Sequence, residues 1–235
     1  MNILLISGHG QGDPGACGNG YKEATLVRAL APKIKEKLSS YATVDIFDMN
    51  KNMYKFLKSG GQFNFSPYDY IFELHFNASG GGAYGTEILV HTNQNGISVE
   101  QKIVDNIAAL GYRNRGVKRR SDLQNMNKIF RLGKDYALLE TCFIDNAGDM
   151  TKYNADKVAT AIADGIISGF KLGKTTTEIK TEAIKELTTV NDIVWELANI
   201  GIITDKNLWL KKLNEDTNSY WLARKMVNYL RGFKY

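Results

Sequence analysis

The sequence has little cysteine, proline or histidine, and no long apolar run. Two cysteines in 235 residues, Cys17 and Cys142, cannot build a disulfide framework or an all-cysteine zinc site. Three prolines, with no long polar tract beside them, exclude an extended disordered chain. The first apolar run, residues 3–6, is far too short for a secretory signal or a bilayer span and follows no basic segment. No later run reaches the roughly 20 residues that a spanning helix needs. We therefore expect a protein made in the cytoplasm without a signal peptide or membrane anchor. A net charge of +5 is modest and selects no partner by itself.

What is present is the patterning of a globular chain. Residues 1–172 alternate strand-like apolar runs with amphipathic stretches. Residues 2–7 (NILLIS), 43–47, 69–76 (DYIFELHF), 86–91 and 137–143 read as strands. Residues 23–38, 98–110 and 149–170 carry apolar side chains at helical spacing, with Leu26, Leu30, Ile34 and Leu38 on one stripe of the first. Strands alternating with helices predict an α/β domain: a mostly parallel twisted sheet flanked by helices on both faces. Residues 173–180 read as a linker, and residues 181–235 as a small all-α module of short helices beginning at 182–187. All three tryptophans, Trp195, Trp209 and Trp221, lie in that module. The simplest use for them is to fill a core near the lower size limit. The alternative is that one or two face outward and stack on sugars.

Histidine occurs only as His9, His75 and His91. His9 follows the first strand inside the glycine-rich turn SGHGQGDPGACGNG, and His75 ends the strand YIFELH. Glu140 sits toward the end of ALLE, and Glu23 opens the helix after the glycine loop. In a parallel sheet all four fall at the carboxyl edge of the strands, where open α/β sheets place their ligands. Two histidines and a carboxylate on a metal, with a second carboxylate free as general base and acid, is the composition of a catalytic zinc site. Such an ion makes water acidic enough to ionise near neutral pH and polarises a carbonyl, which amide hydrolysis needs. The glycine loop is no phosphate cradle of the P-loop kind, because no Lys-Ser or Lys-Thr pair follows the glycines. Asp13-Pro14 likewise forces a turn where a dinucleotide fingerprint needs a helix. His91 reads as a surface residue. Glu73, two residues from His75 and on the same strand face, is either a group that orients His75 or a solvated strand residue.

The runs GHGQGDPGACGNGYKEATL, ELHFNAS and LLETCFIDN resemble, in this order, three motifs of zinc-dependent N-acetylmuramoyl-L-alanine amidases of the amidase-3 type. The resemblance covers roughly residues 1–170, and the whole is similar to clostridial phage endolysins, which join such a domain to a short C-terminal module. It implies a peptidoglycan hydrolase that cleaves the amide between N-acetylmuramic acid and L-alanine. It also implies His9, Glu23 and His75 as ligands of Zn2+ and Glu140 as catalytic acid and base. Asp13 and Asn77 are read as supports of loop shape and ligand orientation. The helical module then binds the cell wall, the alternative being a helical cap or oligomerisation element packed against the catalytic domain, and the enzyme reaches the wall after release through a holin-type pore or from outside. Gln11 departs from a usual glycine, Thr141-Cys142 from the usual pair before Phe143, and Glu73 from a position that is commonly small. None of these removes a ligand. The competing readings are a zinc peptidase cutting within the stem peptide and a non-catalytic wall-binding protein. The basic stretch 113–131 suits anionic wall polymers or stem-peptide carboxylates, and no recognised nucleic-acid motif accompanies it.

Overall fold

The computed structural model describes residues 1–174, 189–199 and 203–230. The expected helix at 182–187 and the linker from residue 175 onward lie outside the described residues. Two compact units emerge, Met1–Thr176 and Thr177–Tyr235.

In the first unit, strands β1 (Asn2–Ser7), β4 (Thr43–Ile46), β5 (Tyr70–Asn77), β6 (Thr86–His91), β7 (Asn114–Arg120) and β8 (Asp135–Phe143) form one sheet. Its order is β4-β1-β5-β8-β6-β7. Four neighbouring pairs are parallel, and only β6 and β8 run antiparallel. A two-residue hairpin, β2 (Cys17–Gly18) with β3 (Tyr21–Lys22), leads into α1 (Glu23–Leu38). The remaining helices are α2 (Met53–Lys58), α3 (Ser98–Ala108), α4 (Gln124–Arg131), α5 (Ala147–Met150) and α6 (Ala155–Phe170).

Strand alternation divides the core into two layers. Ile3, Leu5, Phe72, Leu74, Ile88 and Leu139 face the long helices α1, α3 and α6. Leu4, Ile6, Ile71, Leu89, Tyr136 and Leu138 face α2 and α4. These last two are short, at 6 and 8 residues. Continuing the alternation along that face toward the carboxyl edge, apolar side chains give way to Glu73 and His75 on β5, Glu140 on β8 and Glu87 on β6. The polar row is thus set by the two-residue period of the strands that build the core.

One sequence expectation changes. The single helix expected over 149–170 is α5 and α6, separated because the Asn154 side chain caps α6, accepting from the N–H groups of Asp156 and Lys157 at 3.1 Å each. The basic stretch contains edge strand β7, whose cations also meet partners within the chain. Arg115 and Lys118 pair with Glu87, Arg120 pairs with Asp122, and Arg119 donates to the carbonyls of Thr92 and Gln94.

The second unit contains α7 (Val190–Asn199), α8 (Lys206–Glu215) and α9 (Thr217–Leu230). Ile193, Val194, Leu197, Ile203, Leu213 and Val227 form its core. Trp209 packs against that core, but Trp195 and Trp221 remain 58% and 48% exposed. Each exposed indole carries a cation over its ring, Lys206 on Trp195 and Arg224 on Trp221. Core filling therefore describes one tryptophan of the three. No helix among the described residues is long and apolar enough to cross a membrane.

Candidate metal centre

The chain leaves β1 into a loop that holds His9 in the left-handed region, φ 56°. Arg28 of α1 reaches back under this loop and donates to the carbonyls of Gly8 (2.9 Å), His9 (2.9 Å), Ala24 (3.1 Å), Met49 (2.7 Å) and Lys51 (3.2 Å). Glycine is required at two points where backbone passes against the site. A Cβ on Gly8 would stand 2.4 Å from the His75 ring, and one on Gly15 would stand 2.6 Å from a Glu23 oxygen.

Three side chains converge here. Glu23, the first residue of α1, is buried and oriented by the N–H groups of Ala16 (2.8 Å) and Phe76 (2.9 Å). Its Oε2 lies 3.2 Å from His9 Nε2 and its Oε1 2.9 Å from His75 Nδ1. One potential ligand atom from each of His9, Glu23 and His75 lies within 4.8 Å of the others, so the three could hold a metal ion. The outer nitrogen of each imidazole meets its own carboxylate. His9 Nδ1 faces Asp13 at 3.1 Å, and His75 Nε2 faces Glu73 at 2.8 Å. Asp13 also accepts from Gly15 N–H and from Asn52 Nδ2, and buried Glu73 accepts from the Tyr136 hydroxyl (2.5 Å) and Asn125 Nδ2 (3.0 Å). A carboxylate on the far nitrogen fixes the tautomer and ring plane of a ligating histidine.

The electrostatics follow from this crowding. Burial opposes charge on both histidines, yet Glu23 with Asp13 for His9, and Glu23 with Glu73 for His75, outweigh it and raise both pKa values. Burial would raise Glu23 too, but hydrogen bonds from His75 and His9 hold its carboxyl far below the usual range. Glu140 behaves differently. It sits directly opposite His75 in the β5·β8 register, and burial, reinforced by Glu23 and Glu87 and opposed by His75, pushes it up to about 7. Its buried Oε2 has no hydrogen-bond partner among the described residues. A cleft of about 440 Å³ opens over His9, His75 and Glu73, walled by residues 52–54 on one side and 122–125 on the other.

The structure thus brings together His9, Glu23, His75 and Glu140, with Asp13 bracing His9. Asn77 instead donates to Glu87 (3.0 Å), whose other oxygen takes Arg115 and Lys118. His91 lies apart and is half-buried, its ring stacked on Phe130 with centroids 3.8 Å apart. Cys17 is exposed, its thiol turned to the Gly15 carbonyl. Sequence reasoning missed Arg28, Asn52, Asn125 and Tyr136, which serve the site through partners distant in sequence. Tyr136 alone carried a signal, since it shares the strand face of Glu140.

Residues 3–171 match the family described as N-acetylmuramoyl-L-alanine amidase, of the amidase-3 type. The chain belongs to that family. As an amidase-3 member it is 30% identical over 208 residues to the probable autolysin PH of Staphylococcus aureus, a match covering 77% of this chain and 42% of that protein. It is 29% identical over 180 residues to the N-acetylmuramoyl-L-alanine amidase LytC of Bacillus subtilis, covering 72% of this chain and 35% of that one. The match therefore spans less than half the length of these relatives. Among solved structures, the catalytic domain of the CD27L endolysin targeting Clostridia difficile superposes with a TM-score of 0.58 at 26% identity, over 72% of this chain and 97% of that one.

Proposed function

We propose that this amidase-3 member hydrolyses the amide joining N-acetylmuramic acid to L-alanine in bacterial peptidoglycan, with His9, Glu23 and His75 holding Zn2+ and Glu140 moving the proton. The observation that carries the reading is the convergence of those three donors beside a carboxylate, Glu140, whose buried Oε2 has no partner among the described residues. The donor set fits zinc: two imidazoles and one carboxylate, each imidazole braced from behind by a second carboxylate. When bound, zinc supplies a Lewis acid that polarises the carbonyl and lowers the pKa of water to about 7.

The chain's own residues do the rest. Glu140, a carboxyl whose affinity for a proton is raised by burial, takes a proton from the attacking water and returns it to the departing nitrogen of alanine. Glu23, Asp13 and Glu73 hold the donors in place, so no reorganisation is needed when the amide arrives. The cleft between residues 52–54 and 122–125 receives the glycopeptide. The C-terminal unit binds the wall, and exposed Trp195 and Trp221 support this because indole faces stack on sugar rings. The protein acts at the cell wall, and its partner is peptidoglycan.

The test is digestion of purified peptidoglycan with and without a chelator. We expect new L-alanine amino groups without new reducing sugars, lost on chelation and restored by zinc. New ends within the stem peptide would overturn the bond assigned. Absence of any product from zinc-loaded protein would overturn hydrolysis itself.

A further inference from the structure

The polar row does not stop at Glu140. In the β6·β8 register Glu87 lies directly beside Glu140, as Glu140 lies beside His75. Buried Glu87 is fully engaged: Oε1 accepts from Asn77, and Oε2 accepts from Lys118 and from Arg115 Nε at 2.7 Å. Arg115 spends only that one nitrogen. Its guanidinium carbon lies 5.0 Å from the Phe143 ring centroid, so one face is supported by an aromatic ring. Nη1 and Nη2 have no hydrogen-bond partner among the described residues, and the side chain is 23% exposed. A guanidinium tied by Nε and stacked on a ring still presents its outer fork, the edge that takes a carboxylate through two parallel hydrogen bonds. Glu87 and Phe143 hold this fork at fixed distance from the catalytic row, which a lysine on a flexible stem would not do.

We infer that Arg115 is a subsite for a free carboxylate of the substrate, on the second residue of the stem peptide. The inference rests on the reaction proposed above. With the scissile nitrogen at Glu140, the stem peptide continues through alanine into the next residue, whose α-carboxylate is free when the peptide runs on through its side chain. That carboxylate carbon lies about 6 Å from the scissile nitrogen along an extended backbone. Adjacent strands are about 4.8 Å apart, and Arg115 reaches back from β7 to Glu87 on β6, so a substrate extending one strand beyond Glu140 delivers the carboxylate to its fork. Glu87 alone would repel it; with Arg115 and Lys118 on Glu87 the local charge is positive by one. A substrate whose second residue carries a carboxamide has the same shape but sets N–H against N–H at the fork. The subsite thus distinguishes free from amidated stems.

The experiment compares muramyl-L-alanyl-γ-D-glutamyl-L-lysine with its D-isoglutaminyl counterpart, which differ only in a carboxylate or carboxamide on the second residue, using the full chain. Binding of each to metal-free protein is measured by calorimetry, and kcat/KM for each with zinc-loaded protein. Wild type is expected to favour the carboxylate by about 10-fold in both readouts. Arg115→Gln is expected to bring both ratios close to 1. Arg115→Lys, which keeps a cation for Glu87 but removes the fork, should retain only part of the preference. A purely structural arginine would lower affinity for both compounds and leave the ratio unchanged, which would overturn the subsite. Equal binding of the two compounds by wild type would also overturn it. Carboxylate-selective binding with no cleavage of the muramyl–alanine bond would instead keep the subsite and overturn the proposed reaction.

Discussion

Glu73, buried, and Glu140, half-buried, are carboxyls on one face of the sheet, yet their surroundings push them in opposite directions. Glu140 lacks a hydrogen-bond partner for its buried oxygen among the described residues and rises to about 7, while His75, Tyr136 and Asn125 keep Glu73 low and ionised despite its burial. Replacing Glu140 by Gln should lower turnover about 100-fold or more while zinc stoichiometry, measured by metal analysis, stays at the wild-type value. Replacing Glu73 by Gln should do the reverse first: zinc affinity, read by competition with a chromophoric chelator, should fall about 10- to 100-fold because His75 loses its brace. Unchanged affinity would reduce Glu73 to a packing residue. Glu87 bears on stability. Lys118 and Arg115 outweigh its burial and hold its pKa below the usual value, so its contribution is complete at neutral pH and is lost as pH falls through that lowered pKa. Glu87→Gln should therefore cost roughly 1–2 kcal/mol near pH 7 and much less near pH 3, read from urea midpoints at the two pH values.

At the scale of elements, α3 and α6 of the first unit pack backbone against backbone. A Cβ on Gly165 would stand 2.7 Å from the Ile103 Cα, and one on Gly169 would stand 2.8 Å from the Val99 Cα. Gly165→Ala gains about 1 kcal/mol of helix propensity but must force the helices apart, which costs roughly 1–3 kcal/mol. A lower melting temperature is expected, and a higher one would show that α3 yields freely. How legible each element was follows from how it buries its side chains. β1, β6 and α1 fall where the apolar runs and stripes place them, because each presents a continuous buried face. β7 was hidden because NRGVKRR is an edge strand whose polar side chains erase the two-residue alternation. α2 and α4 were hidden because they span two turns or so, too short for a helical stripe to emerge. At the site, His9, Glu23, His75 and Glu140 were readable as chemistry-bearing types at strand and helix ends. Arg28 and Asn125 were not, since nothing local marks an arginine that will grip carbonyls or an amide that will meet a glutamate 52 residues away.

At the scale of the whole molecule, the chain has two units with separate apolar cores, and the candidate chemistry lies in the first. Removing residues 177–235 should leave cleavage of a soluble muramyl peptide near the full-length rate while reducing co-sedimentation with intact cell walls. Undiminished sedimentation would remove the wall-binding role from the helical unit. Exchanging both Trp195 and Trp221 for Ala in the full chain should weaken sedimentation in the same way if the exposed indoles make the contact. Because both lie largely outside the core, the helical content read by circular dichroism should be little changed.

Arg28 has a consequence for how this sequence can drift. It fastens the His9 loop to the segment before α2 through four carbonyl oxygens, and itself to α1 through a fifth, with no side chain among them. Every residue keeps its carbonyl whatever its side chain, so positions such as Met49 and Lys51 can exchange side chains without loosening the grip on His9. The constraint is concentrated in one arginine and the backbone path around it. In a saturation library selected for lysis, Arg28 should tolerate almost nothing, and its partners at 49 and 51 should tolerate nearly everything except proline.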